Sequence, residues 1–359
     1  MSQTRIHFMD PMRSILMMLG VVVHTAQIYS PSQSWYIHSE NPTSTAGHII
    51  DFIHLFRMPA FFVIAGFFCF LTLKKASTRD FIKTKCKRIL LPFVSTAIIL
   101  NSLQIGFLEH MGWQAFEAAS YLTGGGWIGH LWFLINLMCY FVLAAWAWQV
   151  GASIITKVNN IVKPTLSRTP IFVVVLLLPV VWICIHALKQ FGIPIYSTVL
   201  GEISIYSLLI YLPYFLVGIV LASNRELMTR FVQQNTWLCI IGLALCFGAY
   251  HSPAGDISVI KVYLHTLSIW LSVVLIFKLF HHFFNQGSAL WVYLSGASYT
   301  TYLFHNILVI LVGCVMIHYN VSALAGMCIT IVTTTIITLA IHKYLVSRNK
   351  TLQLLFNGK

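Results

Sequence analysis

Few side chains in this sequence could do chemistry, and those that could lie on apolar stretches. Asp10-Pro11-Met12-Arg13 opens an apolar run that reaches His24. In a helix the eleven residues from Arg13 to His24 give a net rotation of about 20° at ~100° per residue, so both share a face, with Asp10 within about 40° of it. At ~1.5 Å per residue, Arg13 and His24 stand roughly 16 Å apart, too far to bond one another. Asp10 can pair with Arg13 at i,i+3. A cation at one end of a face and a titratable base towards the other suit an extended ligand lying along the helix. The same residues also fit a plainer account, with Asp10 and Arg13 snorkelling to an interface and His24 packed and hydrogen-bonded.

Three further segments carry similar features. Asp51, His54 and Arg57 follow i,i+3 spacing at the start of another apolar run. They form either a local Asp–Arg pair or one polar wall of a site. His130 and Trp132 open a third run, and His305 lies about ten residues into a fourth, after Ser298-Tyr299-Thr300-Thr301-Tyr302. Tryptophan at such an entrance also fits an interfacial belt residue. His24, Arg57, His130 and His305 come from four segments and are expected at comparable depths. A metal is not expected: the 15 His include no HExxH spacing, and the 9 Asp and Glu are few. The 8 Cys form no CxxC pair and read as small apolar packing residues.

The elements that must position these residues are membrane helices. Hydrophobic residues make up 58 % of the 359-residue chain and charged residues 9 %, against about 25 % charged in a soluble domain. Mean hydropathy is +0.81. A soluble enzyme, a disordered chain and a coiled coil are excluded together. Spans of ~20 apolar residues are expected near Pro11–Tyr29, Phe52–Leu73, Ile89–Phe107, Leu131–Thr156, Ile171–Leu188, Ser204–Leu221, Trp237–Tyr250, Val259–Phe280, Leu290–Val312 and Ala323–Val346. The seventh is the shortest. The first run lacks a cleavage site and reads as a retained span. The fold class is therefore all-α: a polytopic transmembrane bundle of about ten spans, with residues 1–359 as one domain and no separate soluble domain.

Charge placement orients the bundle. With the N-terminus inside, all of the 22 Lys and Arg except Arg57, Lys189 and Lys261 fall on cytoplasmic segments. Both termini are then cytoplasmic, and the formal charge of +13 is mostly topology rather than a signal for nucleic acid. One cluster exceeds what orientation needs: Thr72–Pro92 reads TLKKASTRDFIKTKCKRILLP. It is either an anchor facing anionic lipid or a cradle for a phosphorylated cytosolic cofactor.

At these residues the sequence resembles the acyltransferase-3 family of integral membrane O-acyltransferases, over essentially the whole chain. The resemblance lies in the Arg13-x10-His24 arrangement preceded by Asp10, in FFVIAGFF at Phe61–Phe68 with Ala65 where the family usually has Ser, in KRILLP at Lys87–Pro92, in HLWFL at His130–Leu134 and in SYTTYLFH at Ser298–His305. DFIHLFRM followed by FFVIAGFF is most similar to the branch of periplasmic glucan succinyltransferases, and similar stretches occur in O-antigen O-acetyltransferases. The chain resembles the stand-alone type, without the fused periplasmic hydrolase-like domain.

The resemblance implies a multi-pass protein of the bacterial inner membrane. It would move an acyl group, acetyl first, from cytosolic acetyl-CoA or another acyl-CoA to a hydroxyl of a cell-envelope glycan such as lipopolysaccharide O-antigen. The partners expected are the acyl-coenzyme A, the glycan acceptor and the lipid bilayer, without nucleic acid. Arg13, with Lys87 and Arg88, would hold the donor's phosphates, and Asp10 would orient Arg13. His24 would act as general base or be acylated itself. Arg57, His130, Trp132 and His305 would line the acceptor mouth or stabilise the thioester oxyanion. A succinyltransferase of periplasmic glucans is the nearest alternative. Readings from other classes are a glycan transporter or flippase, which the polar residues within spans also fit, and a structural partner of another envelope enzyme.

Overall fold

The computed structural model describes residues 6–199, 203–251 and 258–359. The side chains of 152–168, 190, 225, 251 and 258 lie outside that description. Of the basic residues used above for orientation, Arg5 and the side chains of Lys157, Lys163, Arg168 and Arg225 fall there. Twelve helices carry the argument: α1 (Met9–Ile28), α2 (Ser44–Leu73), α3 (Thr78–His110), α4 (Trp132–Arg168), α5 (Ile171–Gln190), α6 (Ile205–Ser223), α7 (Arg225–Val232), α8 (Thr236–His251), α9 (Ser258–Phe283), α10 (Ala289–His318), α11 (Ala323–Val346) and α12 (Lys350–Asn357).

Among the described residues nine helices are long and apolar enough to cross a membrane, and α7 and α8 form one further apolar pair bent by 65°. These lengths are those of a multi-pass membrane protein. Large apolar side chains such as Trp146, Leu177, Leu245 and Ile336 stand exposed around the bundle, which a hydrocarbon surround tolerates and water would not. The centre is aromatic. Tyr214 stacks on Trp270 at 4.4 Å, and Phe62, Phe215 and Phe277 are fully buried.

Several expected boundaries shift. The second span begins at Ser44 rather than Phe52, because Thr43 accepts from the Thr45 amide and starts the helix early. The seventh span is not an isolated short helix. Asn224 caps α7 by accepting from the Glu226 amide, and the chain then bends into α8. α8 runs antiparallel to α9: the Lys278 ammonium donates to the Gln234 carbonyl at 2.5 Å, Gly242 faces Leu271, and Tyr250 packs on His265 with ring centroids 5.0 Å apart. A two-residue antiparallel ribbon, Thr198–Val199 with Ile203–Ser204, departs slightly from the all-α expectation. The loop after α3 contains a short helix, Ala118–Thr123.

Two packing features set the site. α2 and α6 cross at touching distance because Gly66 meets the Phe215 backbone and Gly218 meets the Val63 backbone, so a Cβ at either position would overlap main-chain atoms. The glycine of FFVIAGFF is therefore a packing requirement of the helix pair. α1 and α10 lie side by side in the same direction, with Arg13 against Ser295, Gly20 against His305 and Ile28 against Gly313. That pairing carries the Arg13–His24 face directly along α10.

α3 contains two π-helical turns, Cys86–Leu90 and Ala97–Asn101. Such widened turns re-aim side chains. The second brings in Asn101, whose amide donates to the Trp127 carbonyl at 2.8 Å and the Ile128 carbonyl at 3.3 Å. Those bonds hold the loop that leads to His130. At the other end α12 folds back onto α3. Its terminal Gly358 adopts φ 59° and sits against the backbone of Lys87 and Arg88. A buried node of Thr300, His342 and Asn357 ties it to α10 and α11, with the Thr300 hydroxyl 2.8 Å from His342 Nδ1 and 3.2 Å from Asn357 Oδ1.

Candidate active site

His24, Arg57, His130, Trp132 and His305 border one cavity of about 50 Å³, together with Gly20 and Tyr302. The His24 and His305 rings lie 5.1 Å apart, and those of His130 and His305 5.3 Å apart. Four segments distant in sequence thus deliver their polar residues to one depth. Asp51 and His54, on the same helix as Arg57, are exposed instead. Three histidines meet here, yet among the described residues no group of His, Cys, Asp and Glu is arranged to hold a metal ion.

Local bonds set the state of each ring. His24 Nδ1 lies 2.7 Å from Gln27 Oε1. An amide oxygen only accepts, so Nδ1 carries the hydrogen, and the neutral ring keeps its basic lone pair on Nε2. His305 Nδ1 donates to the Tyr302 carbonyl at 2.6 Å, so its lone pair is also on Nε2. That atom is buried and has no partner, as do both His130 ring nitrogens and Arg57 Nε. Buried polar groups are normally satisfied, and four open atoms around one cavity mark a place for a polar ligand. The Tyr302 hydroxyl donates to the His130 carbonyl at 2.8 Å, locking α10 to the entrance of α4.

Gly20 was not singled out from the sequence, where nothing distinguishes it from other small residues in apolar runs. A Cβ there would lie 3.2 Å from Arg57 Nη1 and 3.3 Å from His305 Nε2. The bare backbone lets the guanidinium and the imidazole approach α1. Gln27 was missed as well, although its i,i+3 spacing from His24 was visible.

A second, larger cavity of about 560 Å³ adjoins the first and shares His24, His130 and Trp132 with it. Its other walls come from the loops after α1 and α3, with Trp35, Tyr36 and Trp113 among them, and from Asn306 of α10. Trp35 stacks on His24 at 5.7 Å, with 18° between the planes.

At the opposite end the arrangement is looser. Arg13 bonds to the carbonyl and hydroxyl of Ser295, a partner on another helix that spacing could not show. Asp10 stands within electrostatic reach of Arg13 and borders a cavity of about 770 Å³ with His7, Lys74, Lys75 and His281. Lys87 and Arg88 are exposed. Lys85, half-buried over the Phe141 ring at 4.1 Å, lies within electrostatic reach of both Arg13 and Arg88.

Comparison with known proteins bears on this arrangement. Residues 6–343 match the family described as "Acyltransferase domain". Among curated proteins the chain is similar to glucans biosynthesis protein C of Salmonella schwarzengrund (strain CVM19633), 27 % identical over 376 residues, covering 99 % of this chain and 95 % of the relative. It is also similar to the protein of that name from Escherichia coli O17:K52:H18 (strain UMN026 / ExPEC), 28 % identical over 380 residues with the same coverage. No solved structure matches the chain.

Proposed function

This chain belongs to the acyltransferase family, and from that premise we propose that it transfers an acyl group from a cytosolic acyl-coenzyme A to a hydroxyl of an envelope glycan on the far side of the membrane. The observation that carries the reading is the pairing of α1 with α10. It extends one face from Arg13 at one end of the bundle to His24 beside a cavity ringed by unsatisfied polar atoms.

Topology supports this sidedness. The start of α1 and the ends of α2, α6 and α9 border one cavity, so α8, antiparallel to α9, carries the chain back across. Counting the α7–α8 pair as one span gives ten crossings and puts both termini on one side. The excess of Lys and Arg there supports a cytoplasmic assignment for that side, and the bacterial relatives support a bacterial inner membrane.

In this mechanism the phosphates of the donor lie near Arg13, Lys87 and Arg88. The pantetheine arm follows α1 for the roughly 16 Å to His24. His24 Nε2 takes the proton of the sugar hydroxyl as its oxygen attacks the thioester carbonyl carbon. An ester C–O bond forms and the C–S bond breaks. The proton then passes from His24 to the departing thiolate sulfur. Arg57 faces the developing oxyanion with its guanidinium N–H groups.

Acetyl transfer to O-antigen is one form of this reaction. Succinyl transfer to a glucan is favoured by Arg57, a cation beside the cavity with an open Nε that would meet the succinyl carboxylate. The relatives named for glucan biosynthesis support a glucan acceptor. The test is His24→Ala in purified, correctly inserted protein. Acyl transfer should fall by about 10²–10⁴-fold, and near-normal transfer would overturn the assignment. Mass spectrometry of envelope glycans made with and without the protein distinguishes an added acetyl from an added succinyl group.

A further inference from the structure

We propose that the 560 Å³ vestibule is a binding site for uncharged pyranose units, held between aromatic faces and side-chain amides. The proposal rests on the acyl-transfer reading and specifies its acceptor. The volume lies within the ~300–1,000 Å³ of small-ligand sites.

Its lining matches a sugar in three respects. First, Trp35, Tyr36, Trp113 and Trp132 are gathered in one cavity. Their faces carry negative partial charge and complement the C–H face of a pyranose ring. Second, the amides suit hydroxyl groups, which both donate and accept. Asn306 is 1 % exposed; its Nδ2 donates to Gln104 Oε1 at 2.7 Å, while its Oδ1 is buried without a partner. The two open nitrogens of His130 border the same space. A ligand hydroxyl would satisfy each of these atoms, whereas a lipid tail would leave all three unsatisfied. Third, among the described residues that line the vestibule there is no Lys, Arg, Asp or Glu. A phosphorylated or carboxylated sugar would be desolvated without a counter-charge. Because Trp35 also stacks on His24, a sugar resting on this platform presents its hydroxyl to the base.

The experiment is calorimetric titration of the purified full chain, without acyl donor, using a neutral gluco-oligosaccharide and its carboxylated counterpart of equal length. The neutral sugar should bind at least about tenfold more tightly than the carboxylated one. Trp113→Leu should weaken neutral-sugar binding about tenfold, equivalent to about 1.4 kcal/mol. Gln114, an exposed lining residue, gives a second variant that leaves packing intact, and Gln114→Ala should weaken binding a few-fold. With donor present, both variants should raise the acceptor KM and leave the donor KM unchanged. Equal binding of the two sugars, or unaltered binding by both variants, overturns the proposal, even where the wild type acylates some other acceptor. Neutral-sugar binding with no acyl transfer to any acceptor instead overturns the catalytic reading and leaves the sugar site standing.

Discussion

The two ends of the bundle treat polar groups in opposite ways. Around His24 they are few, buried and oriented by short bonds: His24 to Gln27, His305 to the Tyr302 carbonyl, Asn306 to Gln104. Around Arg13 they are many, mostly basic and partly exposed, with Lys74, Lys75, Lys87 and Arg88 open to water. The difference follows from what each end would have to recognise. A phosphate is held by charge that tolerates loose geometry, whereas general base catalysis needs one lone pair aimed at one proton. An effective catalytic end is therefore sparse, and an effective phosphate end can be redundant.

Substitutions at the two ends should have graded effects. Gly66→Leu should have the largest effect and should not distinguish the ends. The side chain would strike the Phe215 backbone, separate α2 from α6 and remove folded protein from the membrane, as read by expression and detergent-extracted monodispersity. Gly20→Ala should strike the proposed catalytic end alone. Its methyl would crowd Arg57 Nη1 and His305 Nε2, and kcat should drop by about 10–100-fold, the scale expected for misplacing reacting groups by a fraction of an ångström to 1 Å. Normal insertion and an unchanged donor KM would accompany it. A near-normal kcat would mean that the close approach is only packing. The smallest effect should come from Lys87→Ala combined with Arg88→Ala. Both are exposed, so the donor KM should rise only about 3–10-fold, equivalent to roughly 0.7–1.4 kcal/mol for two screened charges, with kcat retained. A collapse of kcat there would erase the contrast between the ends.

Much of this was legible in the sequence. Composition demanded a membrane bundle, because a chain with 9 % charged residues has no way to cover itself in water. Helix periodicity put Arg13 and His24 on one face, and the structure turns that face towards α10 through Ser295 and His305. Ionisable residues within apolar runs stood out because burying them is expensive; Arg57, His130 and His305 were found in this way. Gly20, Gln27, Asn101 and Asn306 were not. Neutral amides and glycines cost little in a span and leave no mark on hydropathy, and their importance depends on what lies across from them.

The sequence by itself determined the solvent, the approximate spans and the few positions where charge is kept inside them. These follow from transfer free energies, which belong to each residue separately. Tertiary structure alone decided that α1 pairs with α10, that α8 crosses beside α9, that two π-turns aim α3, and that two loops close a vestibule over His24. Those outcomes depend on which backbones can touch, as Gly66 touches Phe215 and Gly20 admits Arg57 and His305. Contact between residues hundreds of positions apart is a property of packed pairs and is not written in either partner alone.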